Sequence, residues 1–248
     1  MNIFMRFIDI IYPPRCHICS RFLEKADHEI PHFCRGCLKH FAEIRPPFCS
    51  ICGVPFQSIT EENHRCESCL RKRPYYQSLA APYLYEGEIM EAIHQLKYHG
   101  KAYLADSLGK LLASFAMDRF KKTENFLIMP VPLHPKKLRE RGFNQSLLLS
   151  KIVNHTLNME LDFLSLRRVR YTRPQAGLNR EERRKNVRRA FHVLPSKVLK
   201  GRTVILVDDV ATTGNTLNEC GKVLKKAGCD KVFCLVLART STPSASLW

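Results

Sequence analysis

The sequence lacks an apolar run long enough to cross a membrane as a helix. Its apolar start, residues 1–14, is interrupted by Arg6 and Asp9 and ends in Pro13 and Pro14, whereas a bilayer core needs about 20 apolar residues. No small-residue cleavage site follows, so the stretch does not resemble a secretory leader. We expect a cytoplasmic protein without a transmembrane segment, in which residues 1–14 form a short amphipathic helix packed on the rest of the chain.

Negative charge is also scarce, and it is scarcest in the middle of the chain. Against 40 Lys and Arg there are 23 Asp and Glu, which leaves a net charge of +17. Residues 126–203 hold 18 of the basic and five of the acidic side chains, so 13 of the 17 excess positive charges lie there. A uniformly basic surface would indicate solubility or generic attraction to polyanions, whereas this concentration indicates a groove or site for an anion. The alternative is a solvated helix face.

Cysteine, by contrast, is abundant. Eight of the 11 cysteines form four CxxC pairs, and 14, 11 and 13 residues separate successive pairs. Two such pairs can close a tetrahedral four-sulfur zinc site, and with all four positions filled by protein the metal is structural. We expect neighbouring pairs to combine; a cross-braced pairing, histidine substitutes, redox pairs and free thiols are the alternatives. The predicted ligands of the two Zn²⁺ ions are Cys16, Cys19, Cys34, Cys37, Cys49, Cys52, Cys66 and Cys69.

Beyond the cysteine pairs, strand-like and helix-like segments alternate. Apolar residues make up 45% of the chain, too many for a disordered protein. Nearly all-apolar strands alternating with helices predict an α/β fold, a parallel sheet flanked by helices over residues 74–248, preceded by a helix and zinc-ribbon module over 1–73. The strands are expected at 79–87, 125–133, 204–210 and 231–239, and the helices at 88–100, 103–120, 145–157 and 216–227. The remaining cysteines, Cys220, Cys229 and Cys234, are expected in its core.

The segment from Thr203 to Leu217 carries the most specific motif. An apolar strand leads to Asp208 and Asp209 at its carboxyl end, where ligands of open α/β sheets bind. Adjacent acids suit the vicinal hydroxyls of a ribose or a divalent ion, and the next loop offers hydroxyls, a glycine and a helix N-terminus to a phosphate. A ribose 5-phosphate site is predicted; an ordinary strand and capped helix is the alternative. The loop residues are Ala211, Thr212, Thr213, Gly214, Asn215 and Thr216.

This motif resembles the phosphoribosyl pyrophosphate (PRPP) motif of the type I phosphoribosyltransferases. Together with the cysteine pairs and the segments 84–100, 130–146 and 166–191, it makes the chain similar from Cys16 to about Arg239 to the ComF family. That family is related to the amidophosphoribosyltransferases and is associated with DNA uptake in competent bacteria. The resemblance implies a type I phosphoribosyltransferase-like fold.

The resemblance also implies roles for individual residues. Asp208 and Asp209 would hold the ribose diol as the catalytic acids, the loop 211–216 the 5-phosphate, and Mg²⁺ would accompany the pyrophosphate. The segment 172–191 would be a hood that closes over the substrate. The expected pyrophosphate loop consists of Val131, Pro132, Leu133, His134, Lys136 and Lys137.

The basic residues outnumber what a single PRPP requires. This surplus predicts single-stranded DNA as a second polyanion, because basic grooves bind its backbone without sequence preference. Phe143, Tyr171 and Phe191 are interleaved and suited to stack on bases, with core packing as the alternative, favoured for Phe191. The cations are Lys136, Lys137, Arg139, Arg141, Arg168, Arg170, Arg173, Arg180, Arg183, Arg184, Arg188 and Arg189.

The favoured hypothesis is a ComF-type protein of DNA uptake that binds PRPP with Mg²⁺ and single-stranded DNA, with other uptake proteins as further partners. In a transferase, a nucleophile would attack C1 of the ribose with loss of pyrophosphate. One alternative is a conventional salvage or biosynthetic phosphoribosyltransferase acting on a base or amine, although no residue stands out as a base recogniser. The other is a nucleic-acid-binding zinc protein whose phosphoribosyl site is vestigial or regulatory.

Overall fold

The computed structural model describes residues 12–24, 30–56, 61–120, 126–172, 180–195 and 197–241. The helix expected over residues 1–14 falls on residues 1–11 outside these ranges and stays a prediction. The α-helices are α1 (Arg35–Lys39), α2 (Glu67–Arg71), α3 (Gly87–Tyr98), α4 (Leu104–Arg119), α5 (Pro135–Arg141), α6 (Gln145–Leu157), α7 (Arg180–Val187) and α8 (Asn215–Lys226). The strands are β1 (Leu79–Ala80), β2 (Tyr83–Leu84), β3 (Phe126–Pro130), β4 (Glu160–Leu161), β5 (Leu166–Arg168), β6 (Phe191–Val193), β7 (Thr203–Ala211) and β8 (Lys231–Arg239).

The predicted parallel sheet is confirmed. Its six strands lie in the order β1, β8, β7, β3, β4, with β2 also paired to β8, and every pairing is parallel. The two long strands at its centre, β7 and β8, are almost entirely buried, as expected of parallel strands covered on both faces.

Side chains that alternate along the central strands build two separate cores. Ile128 and Ile205 face the cluster formed with α3, α4 and α6. Leu127 and Leu206 face the opposite cluster, which contains α8, because successive side chains of a strand point to opposite faces. A helix is not all that packs on this second face of the sheet. Cys49, Cys52 and Cys69 of the second cysteine cluster lie in the same core. The second cysteine cluster of the zinc-ribbon module thus packs against one face of the sheet.

A small antiparallel ribbon, not anticipated from the sequence, lies outside the main sheet. Leu166 pairs with Val193 and Arg168 with Phe191 in strands β5 and β6. The hood predicted over residues 172–191 corresponds to the connection between these strands, of which 173–179 lie outside the described residues. Phe191 is buried, so packing is its role, as favoured above.

Three further expectations concern the isolated cysteines, membrane-spanning helices and the domain boundary. The isolated cysteines Cys220, Cys229 and Cys234 are buried in the core, as predicted. Within the described ranges, no helix combines the length and apolar content needed to cross a bilayer. The proposed boundary between residues 73 and 74 stays a prediction.

Candidate functional site

A cleft of about 490 Å³ opens where β3 and β7 end. The structure brings nearly all the predicted ligand-binding residues to this one cavity, although they come from two separate stretches of chain. Lys136 is the exception: its ammonium lies 4.7 Å from the centre of the Tyr171 ring, and Tyr171 itself lines the cleft. The predicted residues that line the cleft are Val131, Pro132, Leu133, His134, Lys137, Asp208, Asp209, Ala211, Thr212, Thr213, Gly214, Asn215 and Thr216.

The acid pair lies inside β7, which continues to Ala211. Asp208 is 8% exposed and Asp209 3% exposed. The hydroxyl of Ser146 donates a 2.7 Å hydrogen bond to Oδ1 of Asp208. On the other carboxylate, Oδ2 of Asp209 lies 2.9 Å from the ammonium of Lys97. Each acid therefore has a side-chain partner, and the two partners come from different helices, α6 and α3.

Burial and the partners give these groups unusual proton affinities. Burial, together with the neighbouring Asp209 carboxylate, raises the pKa of Asp208 to about 7, although Ser146 and Lys97 act in the opposite direction. Burial disfavours the charged form of Lys97, but its contact with Asp209 outweighs burial and raises the pKa of Lys97. At neutral pH the cleft thus contains one ion pair and one carboxyl that titrates there, and both acids can accept hydrogen bonds from hydroxyl groups.

The loop after β7 offers its backbone to an anion. Gly214, with φ of 72°, occupies the N-cap position of α8, so the cap residue has no side chain with which to cap this helix. The Asn215 N–H donates to Thr213 Oγ1 at 3.4 Å, and the helix dipole favours a negative charge at this N-terminus. The loop is held from behind, because Arg239 Nη1 and the Thr240 hydroxyl donate to the carbonyl of Thr212 at 3.1 and 3.3 Å.

Three cations, Lys137, Arg141 and Arg168, also line the cleft. Arg168 lines it with a largely buried guanidinium that donates to the Thr172 hydroxyl and lies 5.4 Å from the centre of the Phe191 ring; its buried Nε has no hydrogen-bond partner among the described residues. Lys137 pairs with Glu140 at 3.2 Å. Arg141 donates to Gln145 at 2.6 Å. These side chains stand beside the predicted pyrophosphate loop.

Other cations of the predicted polyanion surface have different surroundings. Arg170 donates to the backbone carbonyls of Asn186 and Arg188, each at 2.7 Å, and so fastens the end of α7. The backbone N–H of Arg189 donates to Glu219 at 3.2 Å. The remaining exposed cations are Lys136, Arg139 and Arg188. Arg173 lies outside the described residues, as do the side chains of Arg180, Arg183 and Arg184.

Of the three aromatic residues proposed to stack on bases, Tyr171 is the one that lines the cleft. It is 41% exposed, and its ring lies 5.3 Å from that of His134. Phe143 packs, partly buried, against the core formed with α3, α4 and α6.

Sequence reasoning missed Lys97 and Ser146. Both reach the acid pair only through the tertiary fold, so no short motif contains them. One signal was present: Lys97 follows Ile89 and Ile93 at intervals of four residues, which places a lysine on the buried stripe of α3. It also missed the aromatic side of the cleft, formed by Tyr85, His94 and Tyr98.

The cysteines form the two expected clusters from neighbouring pairs. Cys16, Cys19, Cys34 and Cys37 form one, Cys49, Cys52, Cys66 and Cys69 the other, and within each the sulfur atoms lie within 4.8 Å of one another. No described histidine joins either cluster.

The sulfur geometry fits zinc. A tetrahedral site with Zn–S bonds of about 2.3 Å separates its sulfur atoms by about 3.8 Å, and Sγ of Cys19 lies 3.7 Å from that of Cys34, as does Sγ of Cys52 from that of Cys66. Backbone N–H groups also donate to Cys49 Sγ at 3.3–3.4 Å. Two structural four-cysteine zinc sites therefore fit the described residues.

Known proteins share both parts of the chain. Residues 7–70 match the double zinc ribbon domain, and residues 144–245 match the phosphoribosyl transferase domain. Competence protein F of Haemophilus influenzae is 32% identical over 230 residues, covering 91% of this chain and 96% of the relative. DNA utilization protein YhgH of Escherichia coli O157:H7 is 32% identical over 232 residues, covering 92% and 98%.

Among solved structures, a purine phosphoribosyltransferase from Pyrococcus horikoshii is 17% identical, with a TM-score of 0.34 over 57% of this chain and 87% of that one. The relatives with competence and DNA utilization names cover more than nine-tenths of this chain and of their own length. The chain therefore belongs to the ComF family, in which a double zinc ribbon is joined to a phosphoribosyltransferase domain.

Proposed function

We propose that this protein acts in DNA uptake, binding PRPP with Mg²⁺ in the cleft and single-stranded DNA on the basic surface beside it. One observation carries the ligand assignment: a buried acid pair, a helix N-terminus with glycine at its cap and several cations line the same cleft. Acids suit the diol of a ribose, the helix N-terminus suits its 5-phosphate, and the cations suit a pyrophosphate.

Each part of PRPP has a counterpart in the cleft. Asp208 and Asp209 accept hydrogen bonds from the ribose hydroxyls, with Lys97 holding Asp209 in place. The loop 211–216 binds the 5-phosphate at the N-terminus of α8. The segment 131–137 and Arg168 bind the pyrophosphate, and the unpartnered Nε of Arg168 supplies a donor.

The acid pair fits Mg²⁺ through Asp208 rather than Asp209. Asp209 is already neutralised by Lys97, whereas the described partners of Asp208 are a hydroxyl and a backbone N–H. Mg²⁺ is commonly held by one or two carboxylates together with phosphates of the substrate. When bound, Mg²⁺ supplies positive charge to the pyrophosphate leaving group.

Pentosyl transfer is the reaction that such a cleft supports. A nucleophile forms a bond to C1 of the ribose while the bond from C1 to the pyrophosphate oxygen breaks, and pyrophosphate leaves with the electron pair. Arg168 and Lys137 face the charge that develops on the leaving group.

The aromatic side of the cleft favours a second candidate function, a conventional phosphoribosyltransferase. Tyr85, His94 and Tyr98 offer a surface on which a planar base can stack. Pyrophosphate release in the presence of a panel of bases and amines tests this candidate. Release that depends on one acceptor supports it, and no release with any acceptor removes it.

Binding of single-stranded DNA is supported by the exposed part of the same region. Tyr171 is partly exposed beside the ammonium of Lys136, and Arg139 is exposed on α5. Aromatic rings flanked by cations bind single strands by stacking and by attraction to phosphates.

Ligand-dependent thermal stabilisation tests the PRPP assignment. PRPP with Mg²⁺ is expected to raise the melting temperature more than ribose 5-phosphate or pyrophosphate alone, because it occupies both sides of the cleft. Equal shifts with pyrophosphate and PRPP would mean that the ribose and 5-phosphate contacts do not form. No shift with any of the three removes the proposal.

A further inference from the structure

A second, smaller cavity opens beside the cleft. Its volume is about 220 Å³, less than the roughly 300–1,000 Å³ of pockets for drug-sized ligands, so it suits a ligand of one or two fused rings. Its walls come from the end of α3, the residues after it and the last turns of α5. We call this cavity the annex; it is lined by Lys97, Tyr98, Gly100, Lys137, Glu140 and Arg141.

The annex adjoins the cleft, and the two cavities share a wall. The residues that line both are Lys97, Tyr98, Lys137 and Arg141. The ammonium of Lys97 lies 2.9 Å from Oδ2 of Asp209, one of the two acids proposed to hold the ribose of PRPP. A ligand in the annex therefore lies beside the proposed ribose site.

The N-terminal module braces one side of the annex. Gly100 belongs to the connection between α3 and α4, and the side chains on either side of it are tied to the first CxxC pair. Gln95 Nε2 donates to the carbonyl of His17 at 2.5 Å, and Lys101 Nζ donates to Oε1 of Gln95 at 2.7 Å. These contacts hold the end of α3 and the residues after it, which fixes the shape of this wall.

Tyr98 provides an aromatic surface in the shared wall. It is 64% exposed, so a ligand can reach most of its ring. The guanidinium of Arg141 lies 5.4 Å from the centre of this ring, and the ring of His94 meets it edge-on at 5.6 Å. Arg141 is held in turn by its hydrogen bond to Gln145. An accessible tyrosine ring with an arginine beside it favours stacking of a nucleobase.

Glu140 supplies a carboxylate to the annex. Its Oε2 lies 3.2 Å from the ammonium of Lys137, and because a carboxylate offers about four acceptor positions, it can accept further hydrogen bonds. A carboxylate accepts from N–H groups and repels carbonyl oxygens, so it selects the edge of a base that carries N–H donors. Guanine suits it best, because its N1–H and its 2-amino group are neighbours on one edge and can meet both carboxylate oxygens.

We propose that the annex is a nucleobase subsite, in which a base stacks on Tyr98 and presents its N–H edge to Glu140, with guanine preferred. The base belongs either to a free purine or to single-stranded DNA, and both sources present the same edge. The place of this base beside the ribose of PRPP rests on the proposed function of the cleft. Recognition of the base itself does not.

Equilibrium dialysis of the full-length protein with labelled guanine and hypoxanthine, without PRPP, tests the subsite. Hypoxanthine has the same ring system as guanine but lacks the 2-amino group. Wild type is expected to bind guanine at least about tenfold more tightly, as for one hydrogen bond to a charged group. Glu140→Gln should abolish this preference, because an amide replaces one acceptor oxygen by a donor. Tyr98→Ala should weaken the binding of guanine about fivefold to 100-fold, because stacking is lost.

Two matched variants serve as controls. Asp106 is paired with Lys110 at 2.9 Å on α4 and is exposed to a similar degree as Glu140. Phe163 is an exposed aromatic residue. Neither Asp106 nor Phe163 is among the lining residues of the cleft or the annex. Asp106→Asn and Phe163→Ala are therefore expected to keep the affinities and the base preference of wild type.

A second arm identifies the source of the base. The free bases are replaced by a short thymidine oligonucleotide that carries one guanine, or one hypoxanthine in its place. A preference for guanine that depends on Glu140 supports the subsite, with a free purine as its ligand if the preference appears with the bases and DNA if it appears with the oligonucleotide. Equal affinities for guanine and hypoxanthine from both sources, or the same preference and affinity in Glu140→Gln and Tyr98→Ala as in wild type, overturn the proposal.

The outcome is separable from that of the proposed function, because the dialysis contains no PRPP. If wild type fails to bind PRPP but prefers guanine through Glu140, the ligand proposed for the cleft is wrong and the subsite stands. If PRPP binds and neither source shows the preference, the subsite is wrong and the assignment of the cleft stands.

Discussion

Asp208 is a carboxyl in the cleft whose charge changes near neutral pH. Its folded-state pKa is raised to about 7 from an ordinary value of 3.8, so between these values the folded protein keeps a proton that the unfolded chain releases. The free energy of unfolding therefore falls as pH rises through this window.

Asp208→Asn removes this titration while keeping an oxygen for Ser146. At pH 4 the variant is expected to match wild type, because Asp208 is then largely protonated in the folded state. At pH 8 it should be more stable by a few kcal/mol, on the scale of about 1.4 kcal/mol per pKa unit. Urea denaturation without ligand from pH 4 to 8 measures the difference. Parallel curves for the two proteins would contradict the pKa assigned to Asp208.

Lys97 neutralises Asp209, so its removal leaves that buried acid without its cation. Lys97→Met is expected to lower the free energy of unfolding at pH 7.5 by about 3–5 kcal/mol. The double variant Lys97→Met with Asp209→Asn should recover part of this loss, because the uncompensated charge is gone. Equal stabilities for the single and double variants, measured by urea denaturation, would mean that the Asp209 carboxylate without Lys97 carries no cost.

At the scale of residues, the sequence predicted those site residues that are neighbours along the chain. Asp208, Asp209 and the loop through Thr216 are contiguous, so one motif predicts them together. Lys97 and Ser146 lie 112 and 62 positions from their acids, and their proximity is a product of helix packing. A lysine on the apolar face of a helix indicates a buried acidic partner, but the sequence does not show which acid that is.

At the scale of elements, each zinc cluster has a glycine beside a cysteine, and their surroundings differ. Gly53 is in the left-handed region and touches the β1 backbone, whereas a β-carbon at Gly36 would meet its nearest neighbour, Cys34 Sγ, at an ordinary 3.7 Å. The second cluster therefore tolerates no side chain at this turn.

Gly53→Ala is expected to lower the free energy of unfolding by at least about 1–3 kcal/mol, because it combines backbone strain with a clash. Gly36→Ala, inside α1, should be nearly neutral. Thermal melts of the two variants provide the comparison, and zinc content shows whether the metal is retained. Equal melting temperatures would argue against docking of the second cluster on β1.

The sequence predicted these elements unevenly. Long apolar strands such as β7 and β8 are recognisable from their sequences, and the parallel sheet follows from their alternation with helices. The short β5–β6 ribbon was missed. Strand β5 has only three residues, two of them arginines, which is too short for an alternation of apolar and polar side chains to be recognised. The entry of the second cluster into the sheet core was also missed, since cysteine spacing predicts a metal site but not the surface on which it packs.

At the scale of the molecule, the net charge of +17 has more than one use. Arg170 and Arg239 hold backbone carbonyls, Lys97 neutralises an acid, and Arg168 lines the cleft. The exposed cations Lys136 and Arg139 are the ones proposed to bind a larger polyanion. The excess charge therefore divides among folding, the cleft and its rim.

This division predicts two separable effects on single-stranded DNA. Tyr171→Ala is expected to weaken binding by about 1–3 kcal/mol without changing its salt dependence, because stacking is lost. Lys136→Gln should reduce the slope of log affinity against log salt by about 0.7. Fluorescence anisotropy with a short oligonucleotide at several salt concentrations measures both, and Phe163→Ala, an exposed aromatic outside the cleft lining, serves as control. Identical behaviour of Tyr171→Ala and Phe163→Ala would remove the stacking role.

The proposed function requires that the acid pair in the cleft binds PRPP. Isothermal titration of PRPP with Mg²⁺ into the full-length protein tests it most directly, comparing wild type, the double variant Asp208→Asn with Asp209→Asn, and Asp118→Asn, an exposed acid on α4. One site per chain is predicted in wild type and in Asp118→Asn, with affinity lost by about 100-fold or more in the double variant, since two charge-assisted hydrogen-bond acceptors are removed. No binding by wild type, or the same affinity in all three proteins, would contradict the claim.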